Sequence, residues 1–181
     1  AAIAAPRVRS ICAMSAVAIR IATQRDLPQL TEIYNHYVIH STITFDLEPF
    51  TVEGRQAWFD AHLTDPRHRL FAAEEGSRVV GYASTSRFRQ KAAYDTTVEA
   101  SVYCSPTAVG RGIGRALYQT LFESIAGEDI NRIVAGVTLP NEVSVVLHRR
   151  FGFTPVGTFS ANGRKFGRYW DVAWLERPLS L

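Results

Sequence analysis

The chain has 181 residues, of which 46% are hydrophobic, 20% charged and 11% aromatic. That is the make-up of one globular domain able to bury a core without disulfides or metal, and it excludes a disordered or fibrous chain. Twenty Lys and Arg against 17 acidic residues give a formal charge of +3 without runs of like charge, which disfavours nucleic acid as a partner and leaves room for a local basic pocket.

Cys12 and Cys104 stand outside any CxxC or Cys/His cluster. No disulfide framework and no metal site is therefore expected, and a reducing cytoplasm is the expected compartment. Residues 1–17 are apolar but broken by Pro6 and Arg7. They read as an N-terminal extension with Met14 as the natural start, ahead of a single domain over 18–181; a cleaved targeting segment is the alternative. No run of about 18 apolar residues follows, so no membrane span is expected.

From Ala18 onward, strand-like and helix-like patterns alternate. Residues 18–22 form a first strand, and Thr23 with Asp26 makes a capping-box-like start for a helix through 27–38. Residues 41–50 are expected as loop, and 52–63 as a helix because Trp58, Phe59 and Leu63 recur at helical spacing. Gly76 and Ser77 separate two β-rich runs, 69–75 and 78–88, that read as a hairpin. In TTVEASVY, Val98, Ala100 and Val102 face one way while Thr97, Glu99, Ser101 and Tyr103 face the other. Ile113, Leu117, Leu121 and Ile125 then recur every fourth residue, as in an amphipathic helix. A strand at 132–138, a helix at 142–151 ending near Gly152, and strands at 154–160 and 168–175 complete the order.

Gly110, Gly112 and Gly114 lie at the turn from a strand into a helix. Unpaired N–H groups and the positive end of the helix dipole make such a turn a site for phosphate oxygens, and glycine allows close approach; a tight packing turn is the structural alternative. A dinucleotide fingerprint lacks its third glycine and its carboxylate after 132–138, and no GxxxxGK[ST] loop is present.

The register Val109, Gly110, Arg111, Gly112, Ile113, Gly114 resembles the signature of the GNAT superfamily of acyl-CoA-dependent N-acetyltransferases, with Val109 in place of the usual Gln or Arg. NEVSVVLHRRFGF is similar to a second family segment: Asn141, Ser144, Leu147, Gly152 and Phe153 keep the pattern and His148 replaces a Tyr. YDTTVEASVY, GRKFGRYWDVAWLERPL and YNHYVIHSTITFDLEP further resemble the phosphinothricin and methionine sulfoximine N-acetyltransferase branch, over essentially residues 18–179.

The resemblance implies a mixed α/β fold with a strongly twisted central sheet and helices on both faces. It implies acetyl-CoA as co-substrate, without metal, held by Val102, Tyr103, Cys104, Gly110, Arg111, Gly112, Ile113, Gly114, Arg115, Asn141 and Ser144. Glu99 and His148 become the catalytic pair, and Phe45, Arg89, Gln90, Lys91, Tyr94, Glu99, Ala100 and Ser101 the acceptor site. It also implies a homodimer with the segment 162–172 near the subunit boundary.

Chemistry supports part of this independently, because an α-ammonium must lose a proton before its nitrogen attacks a thioester. Glu99, on the polar face of the strand leading into the glycine turn, suits that base; a strand carboxylate paired with arginine is the structural alternative. His148 could stabilise or protonate the leaving thiolate or assist Glu99. Arg87, Arg89 and Lys91 alternate at a strand end and suit an acceptor carboxylate plus a second polar head, or else a solvated hairpin tip. His36, His40, His62 and His68 lack a ligand set and read as structural. The expected activity is acetyl transfer to the α-amine of a small amino acid analogue in a ternary complex. A protein or peptide amine as acceptor, and a non-catalytic acyl-CoA sensor, are the alternatives.

Overall fold

The computed structural model describes residues 16–179; the expectations for residues 1–15 lie outside them. Seven strands form one sheet: β1 (Val17–Ile21), β2 (Leu70–Glu75), β3 (Arg78–Arg87), β4 (Thr97–Cys104), β5 (Arg132–Thr138), β6 (Thr154–Lys165) and β7 (Arg168–Pro178), in the order β1-β2-β3-β4-β5-β7-β6. The helices are α1 (Leu27–His40), α2 (Gln56–Asp60), α3 (Ile113–Ser124) and α4 (Glu142–Arg150). All neighbouring strands are antiparallel except β4 and β5.

The alternation in β2 to β4 buries both faces of the sheet. One core, with Val98, Ala100, Leu117, Leu121, Ile133 and Leu175, lies under α3 and α4. The other, with Leu27, Leu30, Phe59, Leu70 and Tyr82, lies under α1 and α2. At the 3-10 turn Gln24–Asp26 that leads into α1, the Thr23 N–H donates to Asp26 Oδ2 at 2.7 Å as expected of a cap, and the Asp26 N–H closes the turn on the Thr23 carbonyl at 2.8 Å. Arg20 from β1 closes on both Asp26 oxygens at 2.7 and 2.8 Å.

The helix expected over 52–63 is shorter, a 3-10 turn at Glu53–Arg55 followed by α2. His62 causes the early stop, because its Nδ1–H donates to the Trp58 carbonyl at 2.8 Å while its backbone N–H turns to Phe59 instead. Phe59 is core, as its spacing predicts, but Leu63 is exposed. Conversely, β6 runs five residues past the expected 154–160 and reaches Lys165. Its distal end arches back over the loop at 41–50.

Candidate active site

The β4–β5 ladder covers only Thr97↔Arg132, Val98↔Ile133 and Glu99↔Val134. Beyond Glu99 the strands part, and β4 from Ala100 to Cys104 pairs with β3 alone. A parallel sheet that splits in this way leaves backbone donors and acceptors of β4 facing a cleft, where they need partners. Glu99 stands at the fork. It is half-buried, and burial raises its carboxyl above the usual range while the Arg89 charge pulls the other way.

The far end of β4 leads into the glycine turn. Gly110 and Gly112 both have φ +79°, in the left-handed region, and a Cβ on either would meet nothing within 4 Å. Gly112 is the N-cap of α3, so the backbone there is bare and the first N–H groups of the helix have no acceptor within the helix. Gly114 differs, because a Cβ there would make ordinary contacts of 3.6 to 3.7 Å with Leu147, Cys104 and Val102. It is a packing position between α3, β4 and α4 rather than part of the bare turn.

Several residues expected to hold a coenzyme already have protein partners, whereas Arg115 is exposed on the first turn of α3. Arg111 is paired with Glu75 at 2.6 Å, and Val109, in the place of the usual Gln or Arg, is exposed and has no side-chain donor. The Tyr103 ring stacks on Tyr82 at 5.3 Å under α1. The Cys104 carbonyl accepts from Tyr37 Oη at 2.6 Å, and burial pushes the Cys104 thiol up to about 11. That thiol is protonated at neutral pH, which argues against nucleophilic use. Asn141 caps α4, its Oδ1 accepting from the Ser144 N–H at 3.1 Å.

His148 lies on the inner face of α4 and is 4% exposed. Its Nδ1 is 2.8 Å from the Ser144 carbonyl, which can only accept, so Nδ1 carries the proton and Nε2 is the acceptor. Nε2 is 3.0 Å from Tyr118 Oη, which therefore donates to it. Burial lowers the imidazole pKa below its ordinary value, partly offset by the Ser144 bond. Tyr118, fully buried on α3, also lies within electrostatic range of Glu99 and Cys104. It lies outside the four-residue repeat of Ile113, Leu117, Leu121 and Ile125, and nothing in the sequence marks it.

Two hollows flank Glu99 on its own face of the sheet. The larger, about 500 Å³ and mostly apolar, includes Phe88, Arg89, Tyr94, Thr97, Val134 and Trp174. The smaller, about 180 Å³, includes Arg55, Tyr82, Ser84, Ser86 and Ser101. Thr97 lines the larger hollow and Ser101 the smaller, so Glu99 occupies the position of β4 between them on the same face.

Arg89 and Tyr94 thus reach the larger hollow, whereas Gln90 and Lys91 are exposed beyond the end of β3. Ala100 turns the opposite way, into the core under α3. The expected alternation of Arg87, Arg89 and Lys91 does not hold, since β3 ends at Arg87 and Arg87 is 3.5 Å from Asp95, tying down the β3–β4 loop. Phe45 lies against Gly163 of β6, where a Cβ would overlap its ring. Lys165, 3% exposed, donates from Nζ to the Thr44 carbonyl at 2.8 Å. Together these two contacts fix the 41–50 loop against the β6–β7 hairpin; neither Gly163 nor Lys165 is recognisable from sequence spacing.

The model of the acetyltransferase (GNAT) domain matches residues 19–174. The chain belongs to the GNAT acetyltransferases. It is 53% identical over 165 residues to a phosphinothricin N-acetyltransferase of Streptomyces coelicolor, covering 90% of this chain and 96% of the relative. It is 37% identical over 161 residues to an L-methionine sulfoximine/L-methionine sulfone acetyltransferase of Pseudomonas paraeruginosa, covering 89% and 94%. The crystal structure of a GNAT superfamily phosphinothricin acetyltransferase from Sinorhizobium meliloti, in complex with AcCoA, superposes with a TM-score of 0.86 at 33% identity, covering 91% of this chain and 89% of that one. The mixed sheet with helices on both faces is the GNAT fold expected from the motifs.

No group of three or more His, Cys, Asp or Glu side chains that could hold a metal occurs among the described residues. None of their helices is long and apolar enough to cross a membrane.

Proposed function

We propose that this GNAT protein transfers the acetyl group of acetyl-CoA to the α-amine of a small amino acid analogue, of the class represented by phosphinothricin and methionine sulfoximine. The observation that carries the reading is the position of Glu99: a half-buried carboxylate with a raised pKa, at the fork of β4 and β5, on the strand that ends in the bare Gly110–Gly112 turn.

The residues fit acetyl-CoA. The unpaired edge of β4 at Val102 to Cys104 offers backbone groups to an extended pantetheine arm, and the bare Gly110–Gly112 turn at the N-terminus of α3 suits a pyrophosphate. Acetyl-CoA supplies the activated thioester; the protein aligns the amine with it and manages the proton. Glu99 takes the proton of the α-ammonium, directly or through water, and its raised pKa moves it toward the pH at which a base is most effective. In the core under α3, Tyr118 Oη is the proton-bearing group held by His148. The acceptor side chain enters the larger hollow, with Arg89 near its polar head. Transfer in one ternary complex is consistent with a Cys104 thiol that stays protonated.

A homodimer fits the hairpin of β6 and β7, where Val156, Phe159, Phe166 and Tyr169 are exposed rather than buried. Cytoplasmic location remains the proposed setting. The deciding experiment is a thiol-release assay with acetyl-CoA and a panel of phosphinothricin, methionine sulfoximine, plain amino acids, polyamines and a peptide. Turnover confined to the first two and related amino acids supports the proposal, and preference for the peptide overturns it.

A further inference from the structure

We infer that Arg55 holds the α-carboxylate of the acceptor, making the smaller hollow a carboxylate subsite that separates amino acids from simple amines. This rests on the acetyltransferase reading and assigns the acceptor's two ends to two different hollows.

Arg55 is 4% exposed, yet its guanidinium has no acidic side chain within 4.0 Å among the described residues. The Tyr34 ring lies 4.2 Å from its Cζ and the Trp58 ring 3.8 Å. Those rings stabilise the cation in part, but they supply no hydrogen-bond acceptors for its N–H groups. Nη1 and the buried Tyr82 Oη beside it lie within reach of each other, but neither makes a well-aligned hydrogen bond in the protein. A desolvated charge of this kind is costly unless an anion completes it. A planar guanidinium matches a carboxylate in shape as well as charge.

The position fits the reaction. Ser86 is the partner of Glu99 across β3 and β4, and Ser101 is two residues further on the same face of β4. Both line the hollow that contains Arg55. In an α-amino acid the nitrogen and the carboxylate share one carbon, so an amine presented to Glu99 carries its carboxylate to the Ser86–Ser101 end. The side chain then projects toward Arg89 in the larger hollow. Asp46, the acidic residue at the smaller hollow, accepts from Tyr34 Oη at 2.5 Å, and its charge is felt by Lys165, so it leaves Arg55 without an ion pair.

The test compares kcat/KM for methionine sulfoximine and for its α-carboxamide in the wild type, Arg55→Gln and Arg55→Lys. Loss of a charge-assisted contact predicts a preference of about ten- to a hundredfold for the carboxylate in the wild type. That preference should collapse to within about twofold in Arg55→Gln and recover in part in Arg55→Lys. Circular dichroism melts and calorimetric acetyl-CoA binding establish that the variants are folded. If Arg55 is only a clamp between α1 and α2, both acceptors lose equally and the ratio stays at its wild-type value, which overturns the inference. A wild type without carboxylate preference also overturns it, even where a variant fails to fold. A wild type that turns over no acceptor at all removes the acetyltransferase reading itself, a separate outcome.

Discussion

The Tyr118 hydroxyl donates to His148 Nε2 at 3.0 Å, and the same imidazole is fixed from behind by donation of its Nδ1–H to the Ser144 carbonyl at 2.8 Å. Both ring nitrogens are therefore committed, and the histidine and the tyrosine are held together in the core under α3. Imidazole nitrogen NMR should report the Nδ1–H tautomer and a titration midpoint below the ordinary 6.5, in line with its burial. A protonated Nε2 at neutral pH would refute this arrangement. His148→Phe should cost about 1 to 3 kcal/mol of stability, because it leaves the buried Tyr118 hydroxyl without its acceptor.

Glu99→Gln removes the proposed base while keeping its size. Turnover should fall roughly 10²- to 10⁴-fold with acetyl-CoA binding retained, as steady-state kinetics and calorimetry can measure. Near-normal turnover would place the base elsewhere.

Arg89 lowers the Glu99 pKa against the upward pull of burial. Arg89→Ala removes that stabilisation of the carboxylate, so the pKa rises and the base form is lost at higher pH. The acid limb of the kcat/KM profile should shift to higher pH. A shift the other way, or none, would show that the two charges do not interact.

Gly112 at φ +79° has open space where a side chain would go, so the obstacle to substitution is backbone strain and ligand approach rather than crowding. Gly112→Val should cost roughly 1 to 3 kcal/mol in stability and raise the acetyl-CoA KM. Unchanged coenzyme affinity in a folded variant would refute the pyrophosphate assignment.

Acid stability should depend on Asp26. Burial raises its carboxyl, but the Arg20 and Thr23 hydrogen bonds outweigh this and bring it from 3.8 to about 2. A depressed carboxyl stabilises the fold above its unfolded pKa and loses that contribution as pH falls through about 4 to about 2, amounting to about 2 kcal/mol. His62, lowered by burial from 6.5 to about 4, adds a loss in the same direction, because below 6.5 the unfolded state binds a proton that the folded state resists. Denaturant melts of Asp26→Asn at pH 7 and pH 3 check this; the variant should be weaker at pH 7 and nearly equal to wild type as pH approaches 2.

Local rules carried much of the architecture in the sequence. The period-two pattern at 97–103 and the four-residue repeat from Ile113 depend only on which side of a strand or helix is apolar, and both survive in the fold. Thr23 and Asp26 announced α1 because a cap uses neighbours three residues apart. The glycine turn, Glu99 and the α4 motif were equally readable, since each sits within one continuous segment. What only the tertiary structure decided were pairings across large sequence separations. Tyr118 meets His148 across 30 residues, and Lys165 reaches the Thr44 carbonyl across 121. Arg55 is enclosed by rings from α1 and α2 and becomes a buried cation only when those helices pack on the sheet. The premature end of α2 was likewise hidden, because it depends on one histidine ring competing for one carbonyl. Spacing specifies a face; burial and the partner on that face are set by the packing of distant elements, and that packing determines which polar groups are left to do chemistry.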